Sequence, residues 1–440
     1  MMTIAIVLFV STGTVAGYAI IHFLRLGLSR AETLAWSFAT GLLLQAIIEV
    51  SLLAAGLLPG PKKILAAEIL IVAGCLVLRR RTSVETLPTP PREWKSLSIL
   101  LLVLSVIGVF LFFCIAATEP LSATDFLAIW GLKGRIIFAT ASIPSRLFHD
   151  PALFWAHPEY PLLVPLSFAT LASAARAWDD HALAIFYPFC QIATVLVLWG
   201  FLSRRHCREA GAFGACLTAV CFPLYAASNI GMAEIPMALG FVLLSSATAD
   251  GLLADSPESR FRLSIAALFS AATKQEGTLF ALLLSALLFV KRGSVSRRTL
   301  WLWAGVPAIL HGVVLRLWRG PVVRRDYDLA LLAPARWGEL LARLGTVGHR
   351  IFSVEVRALI VAVAVTVLFL VLTRRGCVDW LALPIAGQVF SYAFLCALSA
   401  FGVLWLFEGS FRRISISLIP AAALVLGCRL LPEAMEEGAR

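Results

Sequence analysis

The chain has 440 residues, of which 60% are hydrophobic and 14% are charged, and its mean hydropathy is +0.89. A soluble protein of this length needs more charge to cover its surface, so the composition excludes a water-soluble globular protein. The net charge of +11 comes from lysines and arginines between apolar runs, which indicates membrane topology rather than binding of nucleic acid. The nine cysteines include no CxxC and predict neither a disulfide framework nor a metal site.

Apolar runs long enough to cross a bilayer recur along the whole chain. Helices are the spanning element because every backbone polar group in lipid must be satisfied within its own segment. The predicted fold is therefore all-α: a polytopic transmembrane helical bundle of about 11–13 membrane segments with external amphipathic helices. The first run lacks the basic start and the cleavage site of a signal peptide, so we expect it to be retained. The predicted spans are 3–23, 33–58, 64–78, 97–117, 182–202, 209–228, 233–252, 300–318, 355–372, 378–404 and 412–430.

Basic residues between these spans define the predicted topology, because short cytoplasmic loops carry the excess of lysine and arginine. If every cluster is cytoplasmic, the N-terminus lies outside, and 118–160 and 319–354 are external loops. The stretch 161–177 is then re-entrant or interfacial, and 262–290 is a hairpin whose arms of about ten residues reach half way across the core. The alternative makes both stretches single crossings and places 204–208 outside. The clusters are Arg25 and Arg30, the arginines at 79–81, Arg204, Arg205 and Arg208, Arg260 and Arg262, Lys291, Arg292, Arg297 and Arg298, and Arg374 and Arg375.

The stretch 122–138 follows the fourth predicted span and indicates an interfacial amphipathic helix. Asp125 stands at its start, Arg135 lies on its polar side, and Lys133 falls within its apolar arc. A lysine in that arc either extends its ammonium to the headgroups or meets an anion. The alternative to a functional role is that Asp125 caps the helix and Lys133 extends to the interface. The apolar arc consists of Phe126, Ile129, Trp130, Ile136 and Ile137.

The segment AHPEYPLLVP, at 156–165, marks the return of the chain to the membrane. His157 and Glu159 flank Pro158, and Tyr160 follows. One interpretation is a substrate-binding segment. The other is an ordinary interface, in which the tyrosine belongs to the aromatic belt and the two polar side chains are solvated.

Charged residues also interrupt later apolar stretches. Glu234 stands at the mouth of the seventh predicted span, and Lys274 and Glu276 lie within 262–290. Charges at membrane depth are costly without a partner or water, so they suggest a functional site. The structural alternatives are a first-turn carboxylate stabilised by the helix N-terminus at Glu234 and a lysine–glutamate pair that closes a tight hairpin at Gly277.

Arginines on the predicted external side run against the charge rule. Arg412 and Arg413 lie at the outer end of the last predicted span, and the loop 319–354 carries several more. This excess suggests an anionic ligand, whereas single flanking arginines are anchors that extend to the interface. The arginines of the loop are Arg319, Arg324, Arg325, Arg336, Arg343 and Arg350.

In chain order, these features resemble the GT-C superfamily of membrane glycosyltransferases, which use polyprenyl-phosphate sugars. The nearest likeness is to the bacterial group related to protein O-mannosyltransferases and to the aminoarabinose transferase of lipid A. The resemblance covers about 97–430, so the predicted organisation is an N-terminal unit, 1–96, followed by a GT-C-like catalytic module, 97–440. Asp125 matches the catalytic acidic residue of the first long external loop, with Glu119 as the reserve candidate. The segment HPEYP matches a proline-rich motif that follows. Glu234 matches a carboxylate that opens a later span, and Lys274 and Gly277 match a Thr-Lys pair followed by a glycine.

The resemblance implies an inverting transfer in which Asp125 takes the proton of the acceptor hydroxyl. Cations then stabilise the polyprenyl-phosphate leaving group. The residues expected to bind substrate are Lys133, His157, Glu159, Tyr160, Glu234, Lys274, Glu276, Arg412 and Arg413. No cofactor is required; a divalent metal is compatible with the reaction, but nothing in the sequence indicates one. The expected partners are the sugar donor, a lipid, glycan or protein acceptor, and the bilayer.

The alternative function is that of a transporter or flippase for a lipid-linked or anionic substrate. Glu234, Lys274 and Glu276 would then line the translocation path. No inverted repeat is visible in the sequence, which counts against this alternative. We expect a multi-pass protein of a bacterial plasma membrane, with the transferase site on the extracytoplasmic side.

Overall fold

The chain folds into helices joined by turns and short loops. The computed structural model describes residues 2–57, 59–78, 95–226, 230–290, 299–320, 327–351, 378–400 and 402–430. Regular structure in these ranges is helical, and one isolated bridge joins Tyr327 to Ser399. The all-α prediction is therefore confirmed for the described part of the chain. The predicted span 355–372, the arginines at 79–81, 324–325 and 374–375, and the basic cluster at 291–298 lie outside it.

Four helices form the N-terminal part of the fold. They are α1 (Met2–Phe23), α2 (Arg30–Ala54), α3 (Pro61–Leu78) and α4 (Ser96–Thr118). The start of α2 is fixed by a capping box, in which Ser29 and Glu32 exchange hydrogen bonds. The backbones of α1 and α2 lie in direct contact, since a Cβ atom at Gly17 would be 2.1 Å from the carbonyl oxygen of Ser37.

The segment after α4 is helical but is not one continuous helix. A wide π-helical turn (Phe126–Trp130) leads into α5 (Gly131–Thr140), and the short α6 (Arg146–His149) and a 3-10 turn (Pro151–Ala156) follow. The apolar side of α5 packs against α7 (Leu163–Ala175), because Gly134 places its backbone against Pro165 and Phe168. The apolar arc predicted for 122–138 was expected to contact lipid headgroups. This prediction is wrong for four of its five residues, because Phe126, Ile129, Trp130 and Ile137 are buried in protein.

The stretch 161–177 forms α7, a helix of 13 residues. At 1.5 Å per residue it is about 20 Å long, too short to cross the hydrocarbon core. This agrees with the prediction that it does not span. The following helices are α8 (Asp180–Ala184), α9 (Phe186–Arg205), α10 (Arg208–Ala226) and α11 (Glu234–Leu253). Every residue of α11 from Glu234 to Leu252 is buried, so this helix is the centre of the bundle.

The stretch 262–290 is a helical hairpin, as predicted. Its arms are α12 (Pro257–Thr273) and α13 (Gln275–Val290), and a Cβ atom at Gly277 would be 2.0 Å from the carbonyl oxygen of Ser270. Ser264 and Ser285, one on each arm, both donate to backbone carbonyls of α14 (Leu300–Arg319). The expected arms of about ten residues were too short, since the arms have 17 and 16 residues and each extends about 25 Å.

The C-terminal part consists of shorter helices and turns. It contains α15 (Trp337–Ile351), α16 (Ala382–Ala397), α17 (Val403–Leu406), a second π-helical turn (Phe407–Phe411), α18 (Arg412–Ile416) and α19 (Ile419–Leu430). Short 3-10 turns lie at Leu329–Leu332, Pro334–Arg336 and Val378–Leu381. The predicted last span is therefore bent, by 43° between Phe407–Ile416 and Ile419–Arg429.

Six of the described helices are long and apolar enough to cross a membrane, and the bent C-terminal pair would be a seventh. This confirms a multi-pass membrane protein. The predicted count of 11–13 segments is higher because several predicted spans fall on shorter or more charged helices. In α3, for example, Lys62, Lys63 and Glu68 interrupt 18 residues, and α16 has only 16 residues. The six are α1, α2, α4, α8 together with α9, α11 and α14.

Candidate functional site

Asp125 lies at one end of a connected set of charged side chains. Its backbone is α-helical and its side chain makes no capping hydrogen bond, so the alternative that it caps the helix is wrong. Instead, its Oδ2 atom lies 2.7 Å from Nη1 of Arg413. The Nε atom of Arg413 lies 3.3 Å from Oε1 of Glu234. An arginine from the bent C-terminal helix thus joins the segment after α4 to the start of α11.

The same carboxylate of Glu234 also receives a lysine from the hairpin. Lys274 has an extended backbone between α12 and α13, and its Nζ atom lies 3.1 Å from Oε1 of Glu234 and 2.9 Å from Oε1 of Glu276. The lysine–glutamate pair at the hairpin turn is therefore present, and Glu234 extends it. We name the five residues the outer network: Asp125, Arg413, Glu234, Lys274 and Glu276.

Lys133 and the HPEYP segment form a second cluster. Lys133 is buried and donates from Nζ to the carbonyl oxygen of His157, at 2.5 Å, so it does not extend to the interface. His157 has a left-handed backbone, with φ 48°, and its Nδ1 atom lies 3.1 Å from Oε1 of Glu159. Its ring stacks on Tyr160 with centroids 4.6 Å apart. Glu159 is also buried, so the alternative of an ordinary solvated interface is wrong.

Burial changes the protonation of this second cluster. Loss of hydration lowers the pKa of Lys133 to about 7; Glu159 opposes this shift and Arg319 adds to it. Burial likewise raises the pKa of Tyr160 well above its ordinary value. Tyr160 therefore remains a neutral phenol, whereas Lys133 changes charge near neutral pH.

Two glutamines join these clusters. Gln275 donates from Nε2 to the carbonyl oxygen of Glu159, at 3.1 Å, and Gln388 of α16 donates to the carbonyl oxygen of Glu276, at 3.2 Å. Neither glutamine is among the site residues predicted from the sequence. Gln388 had a usable signal, because an amide within an apolar helix needs a buried partner. Gln275 had none apart from its position between the two charged residues of the hairpin.

Most of the predicted site residues are brought together. The exceptions are Arg412, whose side chain lies outside the described residues, and the reserve candidate Glu119, which is exposed and makes no ion pair with the described part of the chain. The residues that converge are Asp125, Lys133, His157, Glu159, Tyr160, Glu234, Lys274, Glu276 and Arg413.

The charges of the outer network are unequal. It contains three carboxylates and two cations, so Lys274 and Arg413, which the resemblance implies stabilise the phosphate leaving group, are both paired with carboxylates. Accessibility is highest at Asp125, whose side chain is 22% exposed, and lowest at Glu234 and Lys274, at 3% and 4%, whereas Glu276 is 14% exposed. A ligand can therefore reach the network at Asp125. Among the described residues, no three His, Cys, Asp or Glu side chains are grouped so that they could hold a metal ion.

A separate set of charges lies at the other end of α11. Asp250 pairs with Arg204, at 3.0 Å, and also with Arg205 and Arg262. Arg204 in turn lies 2.8 Å from Glu32 of α2. We name these five residues the inner network. Its arginines were predicted to define topology. Asp250 was not among the predicted residues, although a carboxylate within an apolar helix is a signal of a buried partner.

No family model matches the chain, and neither the curated proteins nor the solved structures contain a significant match.

Proposed function

We propose that this chain is a membrane glycosyltransferase of the GT-C type, which moves a sugar from a polyprenyl-phosphate donor to an extracytoplasmic acceptor with inversion. The observation that supports this proposal is the outer network. Its five residues come from four distant parts of the sequence, and the parts with Asp125, Glu234 and Lys274 each resemble a motif of that superfamily. The acceptor is a lipid, a glycan or a protein.

In this proposal Asp125 is the general base. It is the most accessible carboxylate of the network and stands where an external segment meets the bundle. Such a base removes the proton of the acceptor hydroxyl as the oxygen attacks the anomeric carbon. Arg413 holds the carboxylate through one 2.7 Å contact, which leaves the other oxygen, Oδ1, to meet the acceptor.

The leaving group is a polyprenyl phosphate, whose negative charge grows in the transition state. A fixed cation near that charge stabilises the transition state. Of the two cations of the outer network, Arg413 is the more exposed, at 15% against 4% for Lys274, so we assign it this role. Lys133 and Lys274 are buried behind it, so we assign them to positioning the HPEYP segment and Glu234. The proposed mechanism requires no cofactor.

The test is a comparison of envelope glycans and glycolipids, by mass spectrometry, in the source organism with the wild-type chain or Asp125→Asn at equal expression. We expect the variant to lack one sugar increment and to accumulate the polyprenyl-phosphate donor. Unchanged glycans would contradict the assignment of Asp125 as the base.

The second candidate is a transporter for a lipid-linked or anionic substrate. It is favoured by one observation: Lys274 is buried between Glu234 and Glu276, an arrangement that suits a path for charge through the bundle. A transporter requires Lys274 and Glu276 far more than Asp125. Loss of substrate export in Glu276→Gln with normal export in Asp125→Asn would therefore favour transport over transfer.

A further inference from the structure

The helix α15 carries more apolar surface than the rest of the protein covers. It packs on α16, and its residues Leu340 and Val347 are buried. Trp337 and Leu341 lie one turn apart and about a quarter of a turn around the helix from that buried pair. They are 55% and 67% exposed. The apolar arc of α15 is therefore wider than its contact with protein.

The 3-10 turn that precedes α15 adds two leucines to this exposed surface. Leu329 and Leu332 are both exposed, and Nε1 of Trp337 donates to the carbonyl oxygen of Leu332 at 3.0 Å. This bond joins the turn to the helix and uses the only hydrogen-bond donor of the indole ring. The exposed ring therefore presents only apolar atoms to its surroundings. We name Leu329, Leu332, Trp337 and Leu341 the apolar patch.

The charged side chains beside the apolar patch are paired with one another. Arg336 lies 2.9 Å from Asp328 and 2.8 Å from Glu339, and Arg343 lies 2.8 Å from Glu339. These two carboxylates and two guanidinium groups have no net charge. At 100° per residue, Glu339 points away from Trp337 and Leu341, on the opposite side of α15. A polar side opposite an apolar side is typical of a helix that lies in the plane of a membrane interface.

The contacts of α15 with α16 give its depth in the membrane. Arg343 donates from Nη1 to the carbonyl oxygen of Ser399 at 2.9 Å, so α15 lies at the C-terminal end of α16. Phe390 of α16 is 67% exposed and about 10 Å along the helix from Ala397. An exposed phenylalanine on an apolar helix of a multi-pass membrane protein contacts lipid. Half of the hydrocarbon core is about 15 Å thick, so α15 lies near the membrane boundary.

We propose that α15 lies in the plane of the membrane interface, with the apolar patch among the acyl chains of one leaflet. The sequence predicted a helix of this kind at 122–138, but most of its apolar arc is buried in protein. The helix α15 also contacts α17, which leads through the second π-helical turn to Arg413. Seating of α15 on the leaflet therefore places the outer network close to the membrane surface. The inference does not depend on the transfer reaction.

The experiment is photocrosslinking from p-benzoylphenylalanine placed at Leu341 of the full-length chain in phosphatidylcholine vesicles. The matched control carries the same label at Thr346, which is exposed on the polar side of α15. Mass spectrometry of the labelled peptide locates the adduct on an acyl chain or on a headgroup. We expect about fivefold more acyl-chain adduct from position 341 than from position 346. Equal yields, or adducts confined to headgroups, would overturn the proposal.

A label at Leu329 tests whether the turn and the helix form one surface. We expect acyl-chain adducts there as well, because the bond of Trp337 to Leu332 holds the turn against α15. Adducts at position 341 alone would contradict the apolar patch as defined. A crosslinked dimer on a denaturing gel in place of lipid adducts would assign this face to a contact between two copies and refute the proposal.

The lipid charge distinguishes acyl chains from headgroups as the partner. When phosphatidylglycerol replaces about a third of the phosphatidylcholine, we expect the yield at position 341 to change less than about twofold, because the charges beside the patch cancel. A yield that rises severalfold with anionic lipid would show that headgroup charge seats the helix and would contradict the proposal.

Discussion

The two ends of α11 both carry a buried carboxylate, but the carboxylates are compensated differently. Asp250, at one end, is 2% exposed and pairs with three arginines that all belong to helices. Glu234, about 24 Å away along the helix, pairs with a lysine at a hairpin turn and an arginine of a bent helix. The outer network continues to Asp125, which water can reach.

Buried charges are costly unless they are paired, so removal of one partner from either network leaves an uncompensated charge and destabilises the fold. The two networks differ in the elements that they join and in the exposure of their carboxylates. The inner network joins α2, α9, α11 and α12, and both of its carboxylates are at most 2% exposed, although Arg205 is 24% exposed. The outer network joins the segment after α4, a hairpin turn and a helix bend, and its most exposed member is the carboxylate of Asp125. We therefore assign the inner network to stability and the outer one to ligand binding.

The largest effect that we expect is that of Asp250→Asn. It leaves three arginines with the single carboxylate of Glu32, and breaking a buried pair costs about 3–5 kcal/mol. The measurement is the thermal unfolding of the purified chain in detergent. Glu339→Gln is the control, because Glu339 bridges Arg336 and Arg343 on the surface of α15, and its loss should change stability far less. An Asp250→Asn chain as stable as the control would contradict the role of the inner network.

Gly277→Ala should disturb the outer network from a distance. A Cβ atom at position 277 would be 2.0 Å from the carbonyl oxygen of Ser270, so the arms of the hairpin must separate and Lys274 must move. Overpacking of this kind costs about 1–3 kcal/mol, and we expect sugar transfer to fall as well. Gly312→Ala is the control, since a Cβ atom there meets nothing within 4 Å. Equal stability of the two variants would show that the hairpin tolerates separation.

Double-mutant cycles compare one ion pair of the outer network with one ion pair of the inner network. For Asp125 and Arg413, which are partly exposed, we expect a coupling free energy of about 1 kcal/mol or less. For Arg204 and Asp250, which are enclosed, we expect about 3 kcal/mol. Chemical or thermal unfolding of the four chains of each cycle gives these values. A larger coupling at the outer end would reverse the assignment.

The last expected effect is a dependence of stability on pH at Lys133. Its pKa is about 7 in the folded chain and near its ordinary, higher value when unfolded. Between these values the unfolded chain binds the extra proton, so the wild type should gain stability as the pH rises above 7. Lys133→Met should lack this gain in melting temperature between pH 7 and pH 9. Lys95 is exposed, so Lys95→Met is the control and should retain the gain in melting temperature. An equal gain in Lys133→Met would contradict the lowered pKa of Lys133.

Much of this arrangement could be predicted from the sequence because membrane helices have a strong local signal. Hydropathy located α1, α2, α4, α11 and α14, and the charge rule correctly made 262–290 a hairpin. The cost of a charge at membrane depth identified Glu234 and Lys274 before their contact was known.

The pairing of distant residues could not be predicted. Asp125 and Arg413 are separated by most of the chain, and no periodicity indicates which helix ends become neighbours. The apolar arc of α5 shows a second limit, because an amphipathic pattern does not distinguish a face against lipid from one against α7. Lys133 shows a third limit. Its ammonium donates to a backbone carbonyl, and the sequence contains no signal for such a contact.

The most direct test of the central claim is the amount of sugar transferred per folded molecule by Asp125→Asn, with Asp328→Asn beside it. Asp328 is a carboxylate of similar exposure that pairs with Arg336 outside the outer network. We predict that Asp125→Asn loses transfer by about 100-fold or more, as the loss of a general base requires, while its melting temperature and the transfer by Asp328→Asn remain close to wild type. Transfer by Asp125→Asn at the wild-type level would contradict the account and return Asp125 to a purely structural role.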